Sequence, residues 1–135
     1  MAVLVDTGIL YALADADDRW HQPASAWLET VSELLIVSVT ALPEVAYLLH
    51  TRLGAAAELA FVHSLVAGEL EVEDLRRTDL TRCAEVMRRY PEIGFVDAST
   101  VAIAERLKID AIATTDRRHF ESIRPKHARG FTLLP

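Results

Sequence analysis

At 135 residues and 51% hydrophobic content, the chain is long enough for one domain that buries about two thirds of its unfolded-chain surface, and too short for two. Its lone cysteine, Cys83, excludes an internal disulfide and a multi-thiolate zinc site and suits a reducing compartment. A net charge of −6 would by itself argue against a nucleic-acid partner, but residues 1–75 carry −10 and residues 76–135 carry +4.

In chain order, AVLV at 2–5 is a short apolar run of the kind that forms a buried parallel strand, and Asp6 ends it. TGILYALAD then reads as a helix, DADDR as a polar turn, and HQPASAWLETV as a second helix with Ala24, Trp27, Leu28 and Val31 on one face. LLIVSV at 34–39 is the next strand. The helix ALPEVAYLLHTRL, 41–53, ends at Gly54 as a left-handed cap, and AAAELAFVHSLVAG returns antiparallel to it as far as Gly68. LEVED at 70–74 reads as a strand, DLTRCAEVMRRY as a helix broken at Pro91, and DASTVAIAERLKI as a helix from Asp97. AIATT at 111–115 and FTLL at 131–134 complete the strands. Strands alternating with helices predict a single α/β domain over 1–135, a three-layer α/β/α sandwich around a central parallel sheet.

The N-terminus MAVLVDTG has no basic leader region and no apolar run approaches the ~18 residues of a membrane span, so a soluble, cytoplasmic protein with no membrane partner is expected. Cys83 reads as an ordinary helix residue. His21, His50, His63, His119 and His127 have no metal-ligand spacing; only His119, beside Asp116, is placed to contact a phosphate or a base.

Four acids carry the chemistry. Asp6, Glu44, Asp97 and Asp116 each stand where a strand or apolar run gives way to a helix. In a parallel sheet the carboxyl ends of the strands share one edge, so such acids meet in space. Asp6, Asp97 and Asp116 also fit as helix N-caps. Glu44 fits that reading poorly, because it follows Pro43 in an apolar helix and Thr40 is one residue too distant for a capping box. Converging carboxylates repel, and a divalent cation is the usual remedy. Hydroxyls at Thr7, Ser99, Thr114 and Thr115 lie close in sequence and are candidates to bond a carboxylate or a bound water. After Asp116, the stretch RRHFESIRPKHAR holds five bases, of which Arg117 and Arg118 are best placed to hold a phosphate backbone.

VLVDTGILYALADADDRWHQPASAWLE, the LPEVAYLL helix, GFVDASTVAIAERL and IATTDRRHF together resemble, in order and spacing, the four acidic blocks of PIN-domain ribonucleases, particularly VapC-type toxins. The resemblance covers essentially the whole chain. It implies that Asp6, Glu44, Asp97 and Asp116 hold one or two Mg²⁺ or Mn²⁺ ions for hydrolysis of RNA phosphodiesters to 5′-phosphates, with Thr115 as the hydroxyl near the last acid. It also implies a homodimer and a protein antitoxin whose segment packs into apolar helix grooves and sets a basic side chain at the acids. Some members of that family carry a further acid shortly after the third; this chain has Ala98, Ser99 and Thr100 there.

Other readings are a PIN-like module that binds RNA or a protein without cutting, and a phosphoacceptor receiver-like domain. The receiver would need a second acid beside Asp6 and a Lys after the last strand, and neither is present. A nucleotide-binding Rossmann domain would need a Gly-rich phosphate loop, which the chain lacks.

Overall fold

The strands sit where the short apolar runs lie, and a computed structural model describes them for residues 1–135. They are β1 (Ala2–Val5), β2 (Leu34–Ser38), β3 (Glu71–Glu73), β4 (Ala111–Ala113) and β5 (Thr132–Leu134), in the order β3-β2-β1-β4-β5. Every pairing is parallel, with Val3 opposite Leu35 and Leu4 opposite Ile112 at the centre. Seven helices connect or cover them: α1 (Thr7–Ala14), α2 (His21–Thr30), α3 (Ala41–Leu53), α4 (Ala55–Val66), α5 (Arg77–Arg89), α6 (Phe95–Leu107) and α7 (Arg117–Glu121).

Alternation along the strands divides the core into two layers. Leu4, Ile36 and Ile112 face one side and pack with Cys83 and Val86 of α5, Val101 and Ile103 of α6, and Phe120 of α7. Val3, Val5, Val37 and Ala113 face the other and pack with Ile9 of α1, Ala24 of α2, and Val45 and Leu49 of α3. Both faces of the central strands are therefore buried, which is why they read as unbroken apolar runs. Trp20 and Trp27 pack against the second layer, as core anchors.

Several boundaries differ from expectation. Gly54 is not a left-handed cap: its φ of 100° and ψ of 174° place it outside that region, and this single residue both ends α3 and begins α4. Only glycine tolerates that backbone without strain. The left-handed cap falls instead at Lys108, φ 57°, after α6. α6 begins at Phe95, two residues ahead of Asp97. β4 stops at Ala113, so Thr114 and Thr115 lie in the loop that follows, and the five-residue α7 is too short to have a legible period.

The layer of α5 and α6 is laced by ion pairs. Arg106 lies 3.0 Å from the buried Asp79 and 2.9 Å from Glu73, and Arg82 lies 2.7 Å from Glu105. Burial opposes the charge on Asp79, yet Arg106 and the Arg76 N–H hold its carboxyl below the ordinary carboxylate range. No helix is long and apolar enough to cross a membrane.

Candidate metal centre

The carboxyl ends of β1 and β4 are adjacent, and this adjacency builds the site. Asp6 is the N-cap of α1: its Oδ1 accepts from the Thr7 N–H at 2.9 Å, and its backbone N–H donates to Ala113 at the end of β4. Its Oδ2 accepts from the Thr114 hydroxyl at 2.9 Å, and the same hydroxyl accepts from the Asp116 N–H at 2.9 Å. One buried threonine thus fixes Asp6 and Asp116, the first and last of the four acids, relative to each other. Asp6 is almost wholly removed from solvent, at 5% exposure.

Asp97 reaches the same edge from the first turn of α6, with no strand before it, two residues inside the helix that was expected to start at it. It is not an N-cap, since Gly94 holds that place. Asp116 is the N-cap of α7 but makes no side-chain capping bond, which leaves its carboxylate for another role. His119, one turn further along α7, lies with Nδ1 2.7 Å from Asp116 Oδ2 and 3.4 Å from Asp97 Oδ2. One donor atom from each of these three residues falls within 4.8 Å of the others. Glu44, in the first turn of α3, is exposed at the same edge, where its charge acts on both Asp6 and Asp97.

The electrostatics follow from that crowding. Burial, then the charge of Asp97, push the Asp6 carboxyl up to about 7; the Thr114 hydroxyl and Thr7 N–H oppose the rise, and Glu44 adds to it. Asp97 is also raised, chiefly by burial, with Asp116 and Glu44 adding repulsion and the His119 imidazole opposing it. These oxygen donors fit a hard divalent cation, because such an ion relieves both the desolvation and the mutual repulsion. The buried hydroxyl of Thr7, the residue after Asp6, has no hydrogen-bond partner.

The expected hydroxyls divide. Ser99 does not belong to the site: two residues from Asp97 is about 200° around a helix, and the side chain turns into the core, where Oγ donates to the Phe95 carbonyl at 2.7 Å and faces Cys83. Thr114, not Thr115, bonds Asp6 directly. Thr115 packs on Gly8, where an added Cβ would sit 2.1 Å from its Oγ1. Gly8→Ala should therefore displace the loop carrying Asp116 and destabilise the fold by about 1–3 kcal/mol, read as a lowered urea midpoint at unchanged slope. Of the two arginines, Arg117 is tied by Nη1 to the Pro135 carbonyl at 3.1 Å, whereas Arg118 is exposed. His119 is the site residue that the sequence underweighted; its spacing of three from Asp116 on a helix was the available signal.

Away from the acids, Leu10, Leu13, Trp27, Leu49, Phe61 and Leu70 help to line an apolar cavity of about 610 Å³. α3 and α4 also expose Tyr47, Leu59, Val62 and Val66.

The PIN domain family model matches residues 3–124. The chain is 33% identical over 135 residues to Ribonuclease VapC26 of Mycobacterium tuberculosis, spanning 98% of this chain and 100% of that protein. Among solved structures it resembles VapC20 of M. tuberculosis, a sarcin-ricin-loop-cleaving toxin, with a TM-score of 0.81 at 24% identity over 87% of this chain and 92% of that one. It also resembles a chain of a toxin–antitoxin complex from Klebsiella pneumoniae, with a TM-score of 0.71 at 20% identity over 90% and 92%.

Proposed function

The chain belongs to the PIN-domain family, and on that premise we propose that it is a metal-dependent endoribonuclease acting in the cytoplasm as the toxin of a toxin–antitoxin pair. The observation that carries the proposal is the convergence of Asp6, Asp97 and Asp116 on one sheet edge, with Glu44 close enough to act on two of them. A Mg²⁺ or Mn²⁺ ion, or a pair of them, would lower the pKa of an attacking water and offset charge on the phosphate and the leaving oxygen. The chain's own part is to hold donors in place. Thr114 and the Thr7 N–H fix Asp6, α6 presents Asp97, and the loop after β4 presents Asp116. Glu44 completes the acidic set from α3.

Arg117 and Arg118 directly follow Asp116 and would hold the RNA backbone near the acids, the exposed Arg118 directly and Arg117 on release from the Pro135 carbonyl. Arg117→Ala with Arg118→Ala should weaken RNA binding and lower the salt slope by about 1 per lost phosphate contact, with cleavage surviving at high RNA concentration. Filter binding across a salt series checks this.

The antitoxin reading is supported by the apolar cavity between α1, α2 and α4, which suits the apolar face of a peptide segment. The exposed apolar side chains of α3 and α4 support a homodimer. The deciding experiment is cleavage of a structured RNA pool by the purified chain, free of antitoxin, with Mg²⁺ or Mn²⁺ and again with EDTA. Cutting that EDTA stops is expected. No cutting with either metal would leave a binding module that does not cut.

A further inference from the structure

We infer, on the metal-site reading above, that His119 supplies a nitrogen ligand to the cation held by Asp97 and Asp116, which makes the site a mixed nitrogen–oxygen one that favours Mn²⁺ over Mg²⁺. The acids alone would form an all-oxygen site. The imidazole changes its chemistry.

Two geometric facts support this. Nδ1 of His119 approaches Asp116 Oδ2 to 2.7 Å and Asp97 Oδ2 to 3.4 Å, and it is shielded from solvent, yet neither approach is aligned as a hydrogen bond. Donor atoms sharing one ion at ~2.1 Å sit about 3 Å apart when adjacent around an octahedron, so these separations suit neighbours on a common centre. The ring is also held in place. Phe120, the next residue, is fully buried and meets the Phe131 ring edge-on with centroids 6.2 Å apart, which pins α7 and fixes the side from which His119 faces the acids. Asp97 is set with equal firmness, since Ala98 and Val101 beside it on α6 are wholly buried.

The consequence is selectivity. Carboxylates serve Mg²⁺ and Mn²⁺ alike, whereas an imidazole nitrogen gains little with Mg²⁺ and more with first-row transition ions.

The test uses the purified full chain and Mn²⁺ itself as probe. Pulsed electron paramagnetic resonance of the Mn²⁺ complex should show modulation from a directly bound ¹⁴N, and His119→Gln should remove it. The same substitution should weaken Mn²⁺ roughly tenfold in a direct binding titration, while Mg²⁺, measured by competition, changes by less than about threefold. If His119→Gln does not fold, the wild-type spectrum decides alone. Bound Mn²⁺ without ¹⁴N modulation would overturn the inference, leave the acid site standing and make His119 a simple ion-pair partner of the acids. Failure of the wild type to bind Mn²⁺ at all would remove the acid-site reading, and the ligand role with it.

Discussion

Asp116→Asn should lower RNA cleavage on the order of 10³-fold while leaving the RNA bound, because it removes a charge that the chemistry needs and little that the fold needs. The side chain of Asp116 makes no capping bond, and its backbone N–H keeps its bond to Thr114 whatever the side chain is. Asparagine has the same shape, so α7 and His119 should stay in place. What changes is the donor set: a neutral amide replaces a carboxylate in the triad with Asp97 and His119. A cation so placed would be misaligned and less well neutralised, which costs transition-state stabilisation rather than RNA affinity. Single-turnover cleavage together with filter binding separates the two effects. A variant that cuts as fast as the wild type would remove Asp116 from the site.

Without metal, the acids should make the protein less stable as pH rises, against the usual trend for carboxylates. Asp6 has its folded-state pKa raised from an ordinary 3.8 to about 7, so the folded state binds this proton more tightly than the unfolded chain does. Its favourable contribution is complete below pH ~4 and is lost as pH climbs through about 7, amounting to roughly 2–3 kcal/mol between pH 5 and pH 8. Asp97 is shifted in the same direction and adds to the slope. The paired acids Asp79 and Glu105 are shifted the other way, so their stabilisation is present above the unfolded carboxylate range and fades only as pH falls into it. The expected result is a melting temperature of the metal-free protein that declines from pH 5 to pH 8. Asp6→Asn or Asp97→Asn should flatten that decline and raise apo stability at pH 8. Mn²⁺ at ~100 times its dissociation constant should add about 2.7 kcal/mol to the wild type, and neither variant should respond as fully. A melting temperature unmoved by both pH and saturating Mn²⁺ would contradict the crowded-carboxylate account.

How far the sequence foretold this depended on what each signal measures. The parallel sheet was legible because β1 and β2 are buried on both faces and so carry unbroken apolar runs. α3 was legible to the residue as an apolar run from Ala41 that Gly54 closes, although not with the left-handed turn expected there. Convergence of the acids followed from strand order, but Asp97 came to the edge by way of a helix start that no strand announces. Ser99 was misplaced because proximity in sequence is not proximity on a helix, where the second residue along faces away. Thr114 and Thr115 could not be ranked without knowing that β4 ends at Ala113, a single-residue matter that decides which hydroxyl meets Asp6. His119 was undervalued because its partners are one turn and one helix away, and only the second of those distances needs the fold.

The two outermost strands, β3 and β5, are each three residues long. A sheet border this brief offers an incoming chain very few free amides and carbonyls, and β3 adds the exposed Glu71 as a charge that repels a copy of itself. Edge-to-edge polymerisation, the common hazard of an open parallel sheet, is thereby disfavoured. Any contact between copies of this chain would then run through helix faces such as α3 and α4, which expose Tyr47, Leu59, Val62 and Val66, and not through the sheet border.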